Sequence, residues 1–183
     1  MSSEQNYVLD ASIFFEAKRR YYAFDLCPGF WDALLWHQAR GRVSSIDRIK
    51  EEIERGGDDL TTWINNVMPE TCFASTDNAD VIRWFGEMVA WVHAQPQYLP
   101  EAKAEFAAEP DGWLIAYAKA NQLVLVTHEV HAPEAKRKVP IPNVCIEFEV
   151  QYVDTFEMLR EFDTRFTWHP SAGPRPLKGS SKV

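Results

Sequence analysis

The chain has 183 residues, 46% of them hydrophobic, with seven Trp and a formal net charge of −8. That is ample apolar material for one folded domain, too little length for two independent ones, and no run of the ~18 apolar residues that a membrane helix needs. The acidity argues against a general RNA-coating role, because phosphate neutralisation requires clustered cations.

The opening M-S-S-E-Q-N lacks the basic region and apolar core of a signal peptide. Cys27, Cys72 and Cys145 are too scattered for a disulfide framework or a C-x-x-C zinc pattern, so a reducing cytoplasm is expected. Tyr7-Val8-Leu9 is a short apolar run that ends abruptly at Asp10 and predicts a first strand. Residues 12–20 predict a short helix with Ile13, Phe14 and Phe15 apolar, followed by an irregular aromatic stretch to Pro28. Pro28 suits the first turn of a helix running to about residue 40 and stopped by Gly41. Its inner face is Phe30, Ala33, Leu34 and either Trp31 or His37.

Val43-Ser44-Ser45 predicts a second, weak strand. A helix over 46–55 follows, with Ile46, Ile49 and Ile53 at i, i+3 and i+7, ended by Gly56-Gly57. Asp59 is placed to cap a helix over 60–67. Residues 72–74 are expected to be extended, 78–93 strongly helical, and 100–108 a short helix after the break at Pro96. Trp63, Trp84 and Trp91 fall at helical spacing, where aromatics are core rather than a base-stacking platform.

The stretch P-D-G-W-L-I-A-Y-A-K-A-N-Q-L-V-L-V-T-H-E, 110–129, reads as one unit. Asp111 can cap a helix whose apolar face is Trp113, Leu114, Ala116, Tyr117 and Ala118. Residues 123–126 are a continuous aliphatic run, as in a parallel strand covered on both faces, and it stops at Thr127-His128-Glu129. A charged, proline-rich loop runs on to Pro142, 143–146 is expected to be the last strand, and Asp154-Thr155 caps a final helix over 156–162 with Phe156, Leu159 and Phe162 inward. From Ser171 the absence of apolar periodicity predicts a flexible tail, 171–183. Strands alternating with helices indicate an α/β layer fold with a parallel sheet, and 1–170 reads as a single domain.

If the strands at 7–9 and 123–126 are parallel neighbours, Asp10, Asp111 and Glu129 meet at one sheet edge, where a cation must compensate them. An all-oxygen ligand set favours Mg²⁺ or Mn²⁺ over zinc. Lys18-Arg19-Arg20, Arg40/Arg42 and Lys136-Arg137-Lys138 could each reach a phosphate, as could His128, although solvated surface is the plainer account for any one cluster. No H-E-x-x-H is present. The position two residues after Asp10 is Ser12, so a haloacid-dehalogenase-type phosphatase lacks its second Asp.

The order strand–Asp-x-Ser, Glu-Ile, Asp-x-x-x-x-x-Tyr-Ala, strand–Thr-x-acid resembles the PIN-domain nuclease superfamily. The segment R-R-Y-Y-A-F-D-L-C-P-G-F-W, 19–31, is similar to a bacterial PIN-like branch of unassigned function. The resemblance implies a PIN-like three-layer α/β fold. Its central parallel sheet of about four to five strands is flanked by helices, and 60–110 forms a helical insertion or cover. It selects Glu52, with Glu51 as fallback, as a further acid, and so implies a catalytic and metal-binding set of Asp10, Glu52, Asp111 and Glu129. Ser12 and Thr127 match positions that steady the acids, and Arg19, Arg20 and His128 are substrate-binding candidates. Glu129 departs from the commonest pattern, which has Asp or Asn there.

The activity so implied is Mg²⁺- or Mn²⁺-dependent endoribonuclease cleavage leaving a 5′-phosphate, often by the toxin of a toxin–antitoxin pair, with an antitoxin protein and a homodimer as expected partners. Asp58-Asp59 resembles the branch's own G-G-D-x-L pattern, though a helix cap is the cheaper account. The alternative is a catalytically inactive PIN-like binding or scaffold module, which the acidic charge and Glu129 favour.

Overall fold

The computed structural model describes residues 5–167 and is built on five strands: β1 (Tyr7–Leu9), β2 (Val43–Ile46), β3 (Phe73–Ala74), β4 (Val124–Val126) and β5 (Tyr152–Val153). They form one parallel sheet in the order β3-β2-β1-β4-β5, with Tyr7 opposite both Val43 and Val124. β1 and β4 are buried along their length, which is why β1 reads as an apolar run and β4 as an aliphatic one. The helices α1 (Ala11–Glu16), α2 (Pro28–Gln38), α3 (Asp47–Glu54), α4 (Asp59–Asn66), α5 (Ala79–Ala94), α6 (Pro100–Ala108), α7 (Pro110–Asn121), α8 (Ile141–Glu147) and α9 (Thr155–Glu161) flank it. This is the PIN-like α/β arrangement, and the 60–110 region contributes β3 to the sheet as well as helices.

Several boundaries fall differently from the sequence expectation. Residues 143–146 are not the last strand but lie in α8, whose first turn holds Pro142 with the φ a helix requires and whose extended N-cap is Pro140. The outer edge of the sheet is taken instead by the two-residue β5. α1 passes into a π-helical turn at Ala17–Tyr21. Asp58, not Asp59, caps α4, accepting from the Leu60 and Thr61 N–H groups at 3.0 and 3.2 Å. Asp154 caps α9 in a full capping box with Glu157, but Phe156 faces outward while Met158 and Leu159 are buried. The expected tail, 171–183, lies outside the described residues.

The core is laid down as the spacing of the apolar residues requires. Ile49 and Ile53 are fully buried on α3, while Ile46, expected to open that helix, instead ends β2 and is buried there, as are Ile13 and Phe14. Trp63, Trp84 and Trp91 are half-buried and packed against the core. On α2 both Trp31 and His37 turn inward. The His37 ring lies face to face with Phe162, centroids 3.7 Å apart, and its Nδ1 has no hydrogen-bond partner. Burial, reinforced by Arg42 and Arg40, lowers its pKa to about 4, so the ring packs as a neutral aromatic.

Gly112 fixes how deeply α7 sits. A Cβ at this position would come within 2.9 Å of Phe85 on α5 and 3.0 Å of Phe106 on α6. Gly112→Ala is therefore expected to destabilise the protein by about 1–2 kcal/mol, the overpacking outweighing the gain in helix propensity. Urea unfolding checks it, and an unchanged or higher midpoint would mean that the rings simply move aside.

Candidate active site

Asp10 leaves the carboxyl end of β1, where its backbone N–H donates to the Val126 carbonyl at 3.0 Å. It is buried, with 5% of its surface exposed. One carboxylate oxygen, Oδ2, accepts from Ser12 Oγ at 2.6 Å and from Thr127 Oγ1 at 2.9 Å. Each hydroxyl is itself fixed by a backbone donor: Ser12 Oγ accepts from the His128 N–H at 3.3 Å, and Thr127 Oγ1 from the Glu129 N–H at 3.1 Å. The ends of β1 and β4 are thus sewn together through Asp10. Burial raises its pKa, opposed by the two hydroxyls and augmented by the Glu129 charge.

Asp111 occupies the first turn of α7, after Glu109 in the cap position, and makes no capping bond. Its pKa is raised to about 7, first by burial and then by Asp10 and Glu129, with Lys138 opposing and Glu52 adding to the rise. Glu52 lies between the fully buried Ile49 and Ile53 on α3, and it is half-buried while Glu51 is exposed, so the helix turns Glu52 toward the cleft. Burial, Asp10 and Glu109 push its pKa up, with Arg55 and Lys138 opposing. Neither Asp111 nor Glu52 accepts a hydrogen bond from a described residue.

Glu129 is held from two sides: Oε1 pairs with Lys138 Nζ, and Oε2 accepts from the Ile141 N–H at 2.8 Å. Lys138 also stands 3.8 Å from Asp111 Oδ2. The fold therefore brings Asp10, Glu52, Asp111 and Glu129 into mutual electrostatic range. Oxygen-only donors that repel one another match the chemistry of a hard divalent cation. In this conformation no three His, Cys, Asp or Glu side chains among the described residues lie close enough to hold a metal ion together. Coordination by three of these acids would require their side chains to rearrange; Asp111 and Glu129 keep 22% and 21% of their side chains exposed.

Other candidates take different places. His128 is half-buried rather than an exposed loop residue, and its Nε2 lies 3.0 Å from Thr155 Oγ1. Arg20 pairs with Glu16 at 2.8 Å and Arg19 lies over Phe15. Lys18 is spent on Asp58 and Asp59, which removes that acid pair from the cleft. An open groove of about 460 Å³, lined by Ser12, Glu16, Arg20, His128, Glu129 and Phe156, adjoins the acids. A slightly larger recess of about 510 Å³ around Trp84, Lys119 and Gln151 opens at the opposite end of β4. The residue that sequence reasoning placed wrongly is Lys138. The sequence groups it with surface cations, and only its place just before the prolines at 140 and 142 and nine residues after the acid at 129 hints at a fixed loop.

The family described as "Domain of unknown function (DUF4411)" matches residues 7–166. No curated protein matches the chain. Among solved structures, the crystal structure of FitAcB from Neisseria gonorrhoeae is similar, with a TM-score of 0.50 and 13% identity over 80% of this chain and 95% of that one. At that identity the likeness speaks to the fold alone.

Proposed function

The chain belongs to the DUF4411 family, and from that premise we propose that it is a metal-dependent endoribonuclease that hydrolyses phosphodiester bonds, acting as the toxin of a toxin–antitoxin pair. The observation that carries the reading is the convergence of Asp10, Glu52, Asp111 and Glu129 at the carboxyl ends of β1 and β4, where burial and mutual charge raise Asp10, Glu52 and Asp111 together. Strongly perturbed acids in one cleft are the mark of a site rather than of a solvated surface.

Asp10, Glu52 and Asp111 would hold Mg²⁺ or Mn²⁺, with Glu129 contributing from the loop side. Such an ion, when bound, acidifies a water and offsets charge on the phosphodiester. Ser12 and Thr127 fix the Asp10 carboxylate so that it need not reorganise. The groove between Arg20 and His128 would take the RNA backbone beside the acids. An antitoxin that covers the cleft and a homodimer belong to the same proposal. Failure of any neighbouring-gene product to co-purify or to relieve growth arrest would count against the antitoxin.

One observation favours a second reading, an inactive binding module: the Glu129 oxygens are already engaged by Lys138 and the Ile141 N–H. A calorimetric Mn²⁺ titration of the wild type beside the Asp10→Asn/Asp111→Asn double variant separates the two. Saturable binding that the double variant loses is expected. A folded wild type that binds no Mn²⁺ would sink the nuclease mechanism and leave the binding module.

A further inference from the structure

The groove beside the acids carries Arg20 as the cation among its lining residues, set against two acids, Glu16 and Glu129. That balance is wrong for a polyanion, and the cation is already engaged: Arg20 Nε pairs with Glu16 Oε2 at 2.8 Å. The place of Arg20 is fixed by the π-helical turn at Ala17–Tyr21, which the Tyr22 N–H closes on the Ala17 carbonyl at 2.9 Å. The far end of the turn is anchored in its turn. Trp31 Nε1–H donates to the Tyr22 carbonyl at 2.6 Å, and the Tyr22 ring stacks on Phe30 with centroids 4.4 Å apart. The three consecutive cations of the turn go to three different partners: Lys18 to Asp58 and Asp59, Arg19 to the Phe15 ring, and Arg20 to Glu16. Of the three, only Arg20 lines the groove. Single π turns set into helices are frequent at functional sites.

A carboxylate and a phosphate satisfy a guanidinium with the same charge-assisted N–H···O bonds. Glu16 therefore occupies Arg20 as a phosphate would. The pair does little for the fold, because 64% of the Arg20 side chain and 30% of the Glu16 side chain are exposed and such pairs contribute little. We propose that Arg20 is the phosphate-binding residue of the groove and Glu16 its internal competitor, an autoinhibitory ion pair that a nucleic-acid strand breaks as its phosphate meets the guanidinium. The inference rests on the reading of the groove as the RNA site and involves no metal ion. A lone phosphate meets a guanidinium that is already taken. A strand that also touches His128 and Phe156 along the groove presents its phosphate to Arg20 at high effective concentration and displaces Glu16. The pair thus selects a strand over a small anion.

The test is the binding of a short labelled RNA in EDTA, followed by fluorescence anisotropy, together with ¹⁵N NMR of the arginine Nε–H groups. It uses the full chain as wild type, Glu16→Gln and Arg20→Gln, the last of which identifies the Arg20 signal. Glu16→Gln is expected to bind the RNA about two- to fivefold more tightly than the wild type, the range that an exposed ion pair can withhold. On saturation with RNA the Arg20 signal of the wild type should move to where it lies in saturated Glu16→Gln, since both guanidinium groups then have the same partner. Arg20→Gln is expected to bind more weakly, with a salt slope shallower than that of Glu16→Gln by about 0.7, the contribution of one phosphate contact on a single strand. RNA that binds the wild type without moving the Arg20 signal would overturn the inference and leave the nuclease reading standing. So would a Glu16→Gln protein that binds no more tightly than the wild type. Failure of both the wild type and Glu16→Gln to bind RNA would overturn the inference together with the reading of the groove as the RNA site, and is thereby told apart from the other two results.

Discussion

Asp111→Asn is expected to raise the melting temperature at pH 8 by roughly 3–8 °C, even as it weakens metal binding. In the folded protein burial and the neighbouring acids raise the Asp111 pKa from 3.8 to about 7. The unfolded chain releases that proton near pH 4, the folded chain near pH 7, so between these values the folded state binds more protons. Stability attributable to Asp111 is therefore present at low pH and falls as pH rises through this window. The neutral amide escapes the loss. A shift of this size, softened by partial exposure and by the lost pairing with Lys138, amounts to about 1–3 kcal/mol, at about 2–4 °C per kcal/mol for a chain of this length. Thermal melts from pH 4 to pH 8 without divalent ions check it: the curves should coincide near pH 4 and separate with rising pH. A variant that melts below the wild type at pH 8 would mean that Asp111 is satisfied as an anion. Saturating Mn²⁺ should then reverse the ranking by stabilising only the wild type.

Asp10→Asn is expected to lower RNA cleavage by at least about 10³-fold while leaving the fold intact, because the amide oxygen can still accept from Ser12 and Thr127 but can no longer carry charge to the cleft. The measurement is single-turnover cleavage of end-labelled RNA with Mn²⁺, read for 5′-phosphate products, with growth arrest on expression as the cellular counterpart. Thr127→Val, which removes a group that only steadies Asp10, should cost a smaller factor of about 10–100. Retention of cleavage within about tenfold by Asp10→Asn would remove Asp10 from the chemistry. Equal losses for the two variants would mean that the hydroxyl clamp, not the charge, is what matters.

What the sequence disclosed, and what it hid, follows from the range of the interactions involved. The ends of β1 and β4 were legible because an aliphatic run buried on both faces must stop somewhere, and Asp10 and Thr127 stand at those stops. Glu52 rather than Glu51 was legible from the motif order, and the flanking Ile49 and Ile53 give its physical basis by fixing which side of α3 is inner. Residues 143–146 misled because Val144-Cys145-Ile146, three apolar residues after Asn143, are too few to show a period. Only the prolines at 140 and 142 spoke for a helix. β5, two residues long, leaves almost no signal. The cap of α4 fell one residue early because Asp58 and Asp59 are chemically equivalent candidates. Lys138 was invisible as a cleft residue because its placement depends on Leu99, Gln97 and Asn143, contacts that no local pattern encodes.

The clamp between Asp10 and Thr127 joins positions 117 residues apart in the chain, and this has a consequence for how the protein is made. β1 cannot pair with β4 until the 117 residues between Asp10 and Thr127 have been made, so the closure is a long-range, slow step in folding. During synthesis, at about 5–20 residues per second, β1 can meet β2, but Asp10 has neither Thr127 beside it nor Asp111 and Glu129 across from it until the later part of the domain has emerged. Any partner that recognises the assembled cleft therefore meets its target only after Thr127 and Glu129 have emerged.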